Sequence, residues 1–395
     1  MLEWKVMLIG TLLVGTGSSA EQTATADERI QLIRDTNTVF SMTSFPSLAD
    51  WEKFAAQLRR AVLVSSGLWP MPERTPLNPT VTGRIEREDY IIENLYIEAR
   101  PGFYVTGNLY RPRGDGPFPA VACPHGHWGQ GRFENTELGS VPARSITFAR
   151  MGMVAFSYDM VGFNDSLQFP KNWAHKYDAI PKEVRQLQAL WAIHPFALQL
   201  WSSLRVIDFL QSLPYVDRER IACTGASGGG TQTFMLCAID PRIQVAAPVC
   251  MVSHTMQGGC VCENAPLIRF HASNMEIAAL MAPKPLILVS ASGDWTKETP
   301  DVEYPAVRGI YALYSAQDRI ENHHFEADHN YNKLSREAVY RFFGKWFLGQ
   351  EEKYREFQEP PYTIEPPESL RVFPNGQLPE RALSDEEVLE QIRKS

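Results

Sequence analysis

The chain lacks the features that would carry it to nucleic acid or hold it across a bilayer. Its 395 residues contain no run of lysine or arginine, and 38 basic against 46 acidic side chains leave a formal net charge of -8. A polyphosphate backbone is an unfavourable partner for such a surface. Beyond the N-terminus no apolar stretch approaches the roughly 20 residues that span a membrane. No sequence period recurs, which excludes solenoids and propellers. Six cysteines are too few for a disulfide scaffold of this length. Cys123, Cys223 and Cys250 lie in apolar, strand-like runs, where a cysteine acts as a small buried side chain. Cys260 and Cys262 sit in a polar loop, where a bridge to a neighbour stays open. That C-x-C has no matching second pair, so the spacing makes no zinc motif and no metal or cofactor is expected.

What is present is a large apolar fraction, 44%, ample for a full core. Residues 1–20 read as a secretory signal: Lys5, an apolar run from Val6 to Gly17 too short to cross a bilayer, and small residues Ser18-Ser19-Ala20 before Glu21. The expectation is a mature, exported chain without stable membrane insertion. Residues 21–85 form an arm. Ala26–Phe40 and Ser47–Ser65 carry apolar residues at helical spacing, and Pro70, Pro72, Pro76 and Pro79 then impose extended backbone. Residues 86–350 read as one catalytic domain, and 351–395 as a charged, proline-rich tail, partly disordered.

Within 86–350 the pattern opens with a hairpin. Tyr90–Glu98 and Phe103–Tyr110 alternate on either side of Ala99-Arg100-Pro101-Gly102. Short apolar runs follow at Ala120–Pro124, Met153–Tyr158, Ile221–Thr224, Val245–Val249, Leu286–Ser290 and His323–Ala327. Helical stretches separate most of them, notably Ser202–Leu213, Tyr304–Tyr314 and Ser335–Phe347. Alternation of this kind predicts an α/β fold, a mostly parallel central sheet with helices on both faces. The segment at about 167–200 interrupts the alternation. An insertion there lies over the carboxyl ends of the strands, where such sheets bind ligands.

Residues Ile221–Phe234 carry the chemistry. Gly225-Ala226-Ser227-Gly228-Gly229 fits G-x-S-x-G between a predicted strand and a predicted helix, the context of a nucleophile elbow. A serine hydroxyl needs a base, and the base needs an orienting carboxylate. In the chain order nucleophile, acid, base, Asp294 follows the Leu286–Ser290 strand, ahead of its rivals Glu298, Asp301 and Asp328. Among the late histidines, His323 and His324 lie within a strand. His329 stands in the loop before the last helix, where a base belongs. The oxyanion needs two fixed N–H donors. Gly228 supplies one by position, and the loop Pro124-His125-Gly126-His127-Trp128 offers the N–H of His127 as the second. His125-x-His127 resembles a metal pair, but the spacing offers no third ligand.

With these motifs the chain resembles the α/β-hydrolase superfamily. More narrowly, it resembles bacterial secreted proteins grouped with acetyl xylan esterases and dienelactone-hydrolase-like enzymes. The resemblance rests on Pro124–Trp128, Tyr158-Asp159-Met160-Val161-Gly162, Thr224–Thr231, Gln257–Pro266, Gly293-Asp294-Trp295 and His329–Lys333. It implies catalytic roles for Ser227, Asp294 and His329 and an oxyanion hole at Gly228 and His127. It implies a serine esterase acting through an acyl-enzyme on a small-molecule or oligosaccharide ester, first of all an acetyl ester of plant polysaccharide. Tyr158–Ser166 lacks the R-G-x-G form of acetyl xylan and cephalosporin deacetylases. Gly228 stands where glucuronoyl methylesterases carry arginine. A glucuronoyl methylesterase, another carboxylesterase or lactonase, and a catalytically silent binding protein are the alternatives. Trp128, Glu263, Arg269 and Trp295 are the candidate substrate contacts.

Overall fold

The computed structural model describes residues 38–170, 190–191, 193–270 and 272–394. The expected signal, most of the Ala26–Phe40 helix and the middle of the insertion, with Trp173 and His175, lie outside the described residues.

Helix α1 (Leu48–Ser65) starts where the capping signal places it: the Ser47 side chain accepts from the Asp50 N–H at 3.2 Å. It buries Trp51, Leu58 and Val62. Strands β1 (Thr80–Glu86), β2 (Tyr90–Arg100) and β3 (Phe103–Pro112) then form an antiparallel meander. The β2–β3 turn needs Gly102. Its φ is +74°, and a Cβ there would lie 2.7 Å from the Leu383 side chain. Strand β1 is absent from the sequence expectation for a physical reason. It is a largely exposed edge strand whose alternation is carried only by Val81, which is exposed, Gly83 and the partly buried Ile85, too few apolar side chains to stand out.

The chain continues through β4 (Phe118–Ala122), the small hairpin β5 (Asn135–Thr136) and β6 (Gly139–Ser140), helix α2 (Val141–Arg150) and β7 (Val154–Tyr158). Then come α3 (Pro195–Ser212), β8 (Val216–Ala226), α4 (Gly228–Ile239), β9 (Ile243–Val249), α5 (Asn274–Ala279) and β10 (Leu286–Gly293). The last part is α6 (Glu303–Leu313), β11 (Ile320–Asp328), α7 (Lys333–Trp346), α8 (Glu351–Tyr354) and α9 (Asp385–Lys394). The nine-stranded sheet runs β1-β2-β3-β7-β4-β8-β9-β10-β11. From β7 to β11 every neighbouring pair is parallel.

Successive strand residues feed opposite cores, as period-two geometry requires. Ala120, Ile221, Cys223, Leu286 and Leu288 pack on one side with Trp201, Phe209 and Leu236. Val121, Ala222, Ile287 and Val289 pack on the other with Phe148, Val339 and Phe343. The chain enters the parallel region at β4 and winds outward to β7 on one side and β8 on the other. The crevice beyond β4 and β8 is therefore the switch point where such sheets bind ligands.

The tail is not a loose polar segment. Leu370, Val372, Phe373 and Val388 are buried. Asn94 and Asn108 on β2 and β3 donate to the carbonyls of Ser369 and Leu370, each at 2.8 Å. Arg336 grips Glu359 through two bonds of 2.7 and 2.6 Å. Leu370, Val372 and Phe373 make too short an apolar run to produce a periodic signal, and the side chains that bond the Ser369 and Leu370 carbonyls lie more than 250 residues away.

Candidate active site

Ser227 joins β8 to α4 with φ +57° and ψ -127°, a backbone state that costs a non-glycine residue strain and is held by its surroundings. Its N–H donates to the Val249 carbonyl at 3.1 Å. The small neighbours are steric necessities. A Cβ on Gly225 would lie 2.5 Å from the Pro124 carbonyl oxygen, and one on Gly229 would meet the same atom at 2.5 Å. Gly228 is small for a further reason: a Cβ there would fall 2.3 Å from Cε1 of the His127 ring. As the first residue of α4, Gly228 has an N–H with no intrahelical acceptor, and the positive end of the helix faces the serine.

The structure pairs Asp294, at the end of β10, with His329, just past β11. His329 Nδ1 lies 2.7 Å from Asp294 Oδ2. The other carboxylate oxygen, Oδ1, accepts from the Thr296 N–H at 2.7 Å and its hydroxyl at 2.5 Å. Burial opposes the charge on Asp294, but the bonds from His329 and Thr296 outweigh it and hold the carboxyl below its usual range. The tautomer follows: with Nδ1–H directed at a carboxylate, Nε2 presents its lone pair. That Nε2 is buried and has no hydrogen-bond partner among the described residues. Trp295 packs on the imidazole at 4.4 Å between centroids and Trp128 stacks on it at 5.9 Å. The other late histidines are engaged elsewhere: His324 Nδ1 is 2.9 Å from the Ser290 hydroxyl, and His323 faces Glu321 at 3.5 Å. The rival Glu298 faces His254 at 3.4 Å.

In sequence and in fold the chain is similar to known esterases. Residues 89–254 match the acetyl xylan esterase (AXE1) family model. The chain is 27% identical over 301 residues to the putative hydrolase YtaP of Bacillus subtilis (strain 168), covering 71% of this chain and 96% of that protein. It is 24% identical over 156 residues to the acetyl esterase Axe7A of Xylanibacter ruminicola, 38% of this chain and 32% of that one. Among solved structures, the methylesterase BT1017 superposes with a TM-score of 0.74 at 30% identity, over 89% of this chain and 78% of that one. The chain belongs to the α/β-hydrolase esterases of the acetyl xylan esterase family.

The esterase is therefore a carboxylic ester hydrolase. Its remaining candidate residues fall into two groups. Trp128 and Trp295 flank His329, so one face of each ring is already committed to the imidazole. Arg269 points into its own loop, and Glu263 reaches from that loop to His127 Nδ1 at 3.5 Å. Glu263 is 3% exposed and accepts from the Gly259 N–H at 2.5 Å. Arg269 bonds the Asn264 and Asn274 side chains and the Glu263 carbonyl, the last at 3.1 Å. Burial lowers its pKa to about 9 against the opposing charge of Glu263. The structure thus gives these two the role of loop scaffold rather than substrate contact.

The H-x-H pair separates as well. His125 is fully buried; its Nε2 accepts from the Met160 N–H at 3.0 Å and its Nδ1 donates to the Gly126 carbonyl at 2.7 Å. Burial holds it neutral, with a pKa lowered to about 4. His127 turns the other way, its ring stacked on Phe163 at 6.2 Å and set against Gly228.

Sequence reasoning missed the buried guanidinium that shapes this rim. Arg132 of the esterase forms ion pairs with Asp159 and Asp165 and donates to Asn108 at 2.7 Å and to the Leu370 carbonyl at 3.1 Å. It ties the loops after β4 and β7 to β3 and the tail. The signal was a lone arginine and two aspartates far apart in sequence, and only the fold brings them together. Beside them a cavity of about 430 Å³ is lined by Gly129, Gln130, Phe163, Asn164, Phe169 and Arg371.

Proposed function

We propose that the protein is a serine carbohydrate esterase working through an acyl-enzyme on a uronosyl methyl ester. The observation that carries the mechanism is the Asp294–His329 pair at 2.7 Å with its buried, unpartnered Nε2, on the same sheet edge as a serine at a strained strand–helix turn. In this reading His329 takes the Ser227 proton as Oγ attacks the ester carbonyl. The Gly228 and His127 N–H groups hold the oxyanion. Imidazolium then protonates the departing alcohol, and water activated by His329 releases the acid. Asp294, kept ionised, stabilises the imidazolium.

The substrate reading draws on two supports. One relative that matches across most of this chain, at 30% identity, is a methylesterase by name. The cavity beside the His127–Phe163 stack carries at its wall the half-exposed Arg371 guanidinium, which pairs with Asp165 at 3.3 Å through one nitrogen and can offer the rest of its fork to a neighbouring uronate in an acidic polysaccharide. An acetyl ester of a polysaccharide is the second reading, favoured by the family model over residues 89–254. We also propose export, on the signal-like residues 1–20. Mass measurement of the N-terminus of the protein secreted by its host checks the cleavage.

The deciding experiment offers the purified protein methyl-esterified and acetylated oligosaccharides, and measures methanol against acetate. Methanol release lost in Ser227→Ala supports the first reading, and acetate release with no methanol moves the assignment to the second. Hydrolysis that survives Ser227→Ala would overturn the serine mechanism itself.

A further inference from the structure

We propose that His127, Cys260 and Cys262 form a binding site for a thiophilic d10 metal ion, zinc(II) in the test below, joining the loop after β9 to the loop after β4. The inference stands on geometry independent of the substrate. One imidazole nitrogen and two sulfurs lie within 4.8 Å of one another. His127 Nε2 and Cys262 Sγ are already 3.1 Å apart. Tetrahedral zinc with Zn–N near 2.0–2.1 Å and Zn–S near 2.3 Å separates its N and S ligands by roughly 3.5 Å. For the His127–Cys262 pair an ion therefore needs a spread of only about half an ångström, and Cys260 Sγ lies within 4.8 Å of both atoms.

Two thiolates and an imidazole are the donor set of choice for zinc and for other soft ions, and a poor one for magnesium or calcium. The surroundings are those of a ligating histidine. Its second nitrogen, Nδ1, faces the Glu263 carboxylate at 3.5 Å, the carboxylate–histidine arrangement that orients a metal-bound imidazole. Glu263 is itself fixed by the Gly259 N–H at 2.5 Å. The ring is stacked on Phe163 and has room only because residue 228 lacks a Cβ. Cys262 is buried and Cys260 is partly exposed, which gives an ion an approach from solvent. All six cysteines are free thiols, so none of these sulfurs is committed to a bridge. On binding, the two thiols give up their protons to solvent, two sulfur–metal bonds and one nitrogen–metal bond form, and no oxidant is involved.

The sequence spacing hid this site. His127 lies 135 residues from Cys262, so the C-x-C and the H-x-H each look incomplete. The fold places them at the ends of β9 and β4, two strands apart across β8.

The test uses the full protein, purified with reductant and stripped with chelator, then dialysed against zinc(II) or cobalt(II). Expected are one ion per chain and a tetrahedral cobalt spectrum with a sulfur charge-transfer band that zinc abolishes. Cys260 and Cys262 should lose their reactivity toward a thiol reagent in peptide mapping. Cys260→Ser with Cys262→Ser should remove the charge-transfer band. Glu263→Gln keeps an acceptor for Gly259 but loses the charge facing Nδ1, and should weaken binding roughly 10–100-fold; it serves if the double variant does not fold. Substoichiometric binding, an octahedral cobalt spectrum, unchanged thiol reactivity, or a Cys260–Cys262 disulfide that forms in preference to metal binding would overturn the proposal.

Discussion

Each side chain at the site is set by a neighbour that its own sequence position does not reveal. Asp294 is ionised because Thr296 supplies two donors in addition to His329. Asp294→Asn removes the charge and presents Nδ1 with the wrong partner, favouring the other tautomer. The expected result is a fall in kcat of about 10⁴-fold with KM little changed, measured on a soluble ester. Gly228 illustrates a second kind of constraint. The sequence assigns Gly228 only the N–H that follows the serine, whereas the structure adds the His127 ring at 2.3 Å from the absent Cβ. Gly228→Ala should displace that ring and the N–H donors beside it. A loss of roughly 10²–10³-fold in kcat/KM is expected, the size of one missing oxyanion donor, with little change in the urea midpoint.

Among the elements, the sheet explains why residues spread from 125 to 329 meet. Every parallel strand from β7 to β11 points its carboxyl end to one edge, and Ser227, Asp294 and His329 all follow those ends. The loops on that edge are stiffened by Arg132, fully buried between Asp159 and Asp165. Its pairs satisfy each other's charge, so deleting the cation strands two carboxylates in the interior. Arg132→Met should cost about 3–5 kcal/mol in urea unfolding. Because Asp165 also accepts from the Val372 N–H at 2.9 Å, the tail should become sensitive to protease in the same variant. Helix α3 shows how far an element can be read from a pattern. Ser202–Leu213 carries the clear periodicity, but the helix begins seven residues earlier at Pro195, capped by His194. The insertion hid that start, since an apolar stretch with proline at its first position reads equally as loop.

For the whole molecule, the described part is a nine-stranded sheet with a core on each face and a small β5–β6 hairpin, and its stability carries a pH signature. His194 accepts from the Ala197 N–H at 3.3 Å through Nδ1, and its Nε2 lies 2.9 Å from the Ser65 carbonyl. Burial lowers its pKa to about 4. The unfolded chain, with an ordinary histidine near 6.5, binds that proton first. Between pH 6.5 and about 4 the unfolded state therefore holds more protons, and stability falls as the pH drops, by up to ~1.4 kcal/mol per pH unit from this residue. His194→Asn, which still caps α3, should lower the slope of unfolding free energy against pH by one proton across that window. Urea titrations from pH 7 to 4.5 measure it. An unchanged slope would mean that His194 is not held neutral.

The sequence by itself determined the alternation of strand and helix, the parallel sheet and the Gly-x-Ser-x-Gly turn, because these depend on neighbours within a few residues. The candidates Ser227, Asp294 and His329 were legible for the same reason: each follows an apolar strand in a fixed order. Only the tertiary structure decided what surrounds them. Which nitrogen of His329 faces Asp294, that Glu263 and Arg269 turn inward, that Arg132 is buried, and that the tail docks on β2 and β3 all depend on contacts between residues tens to hundreds of positions apart. Local pattern encodes the direction in which a strand presents its ends. It does not encode which distant side chains a twisted sheet brings to one edge, and there the clustering of His127, Cys260 and Cys262 arises.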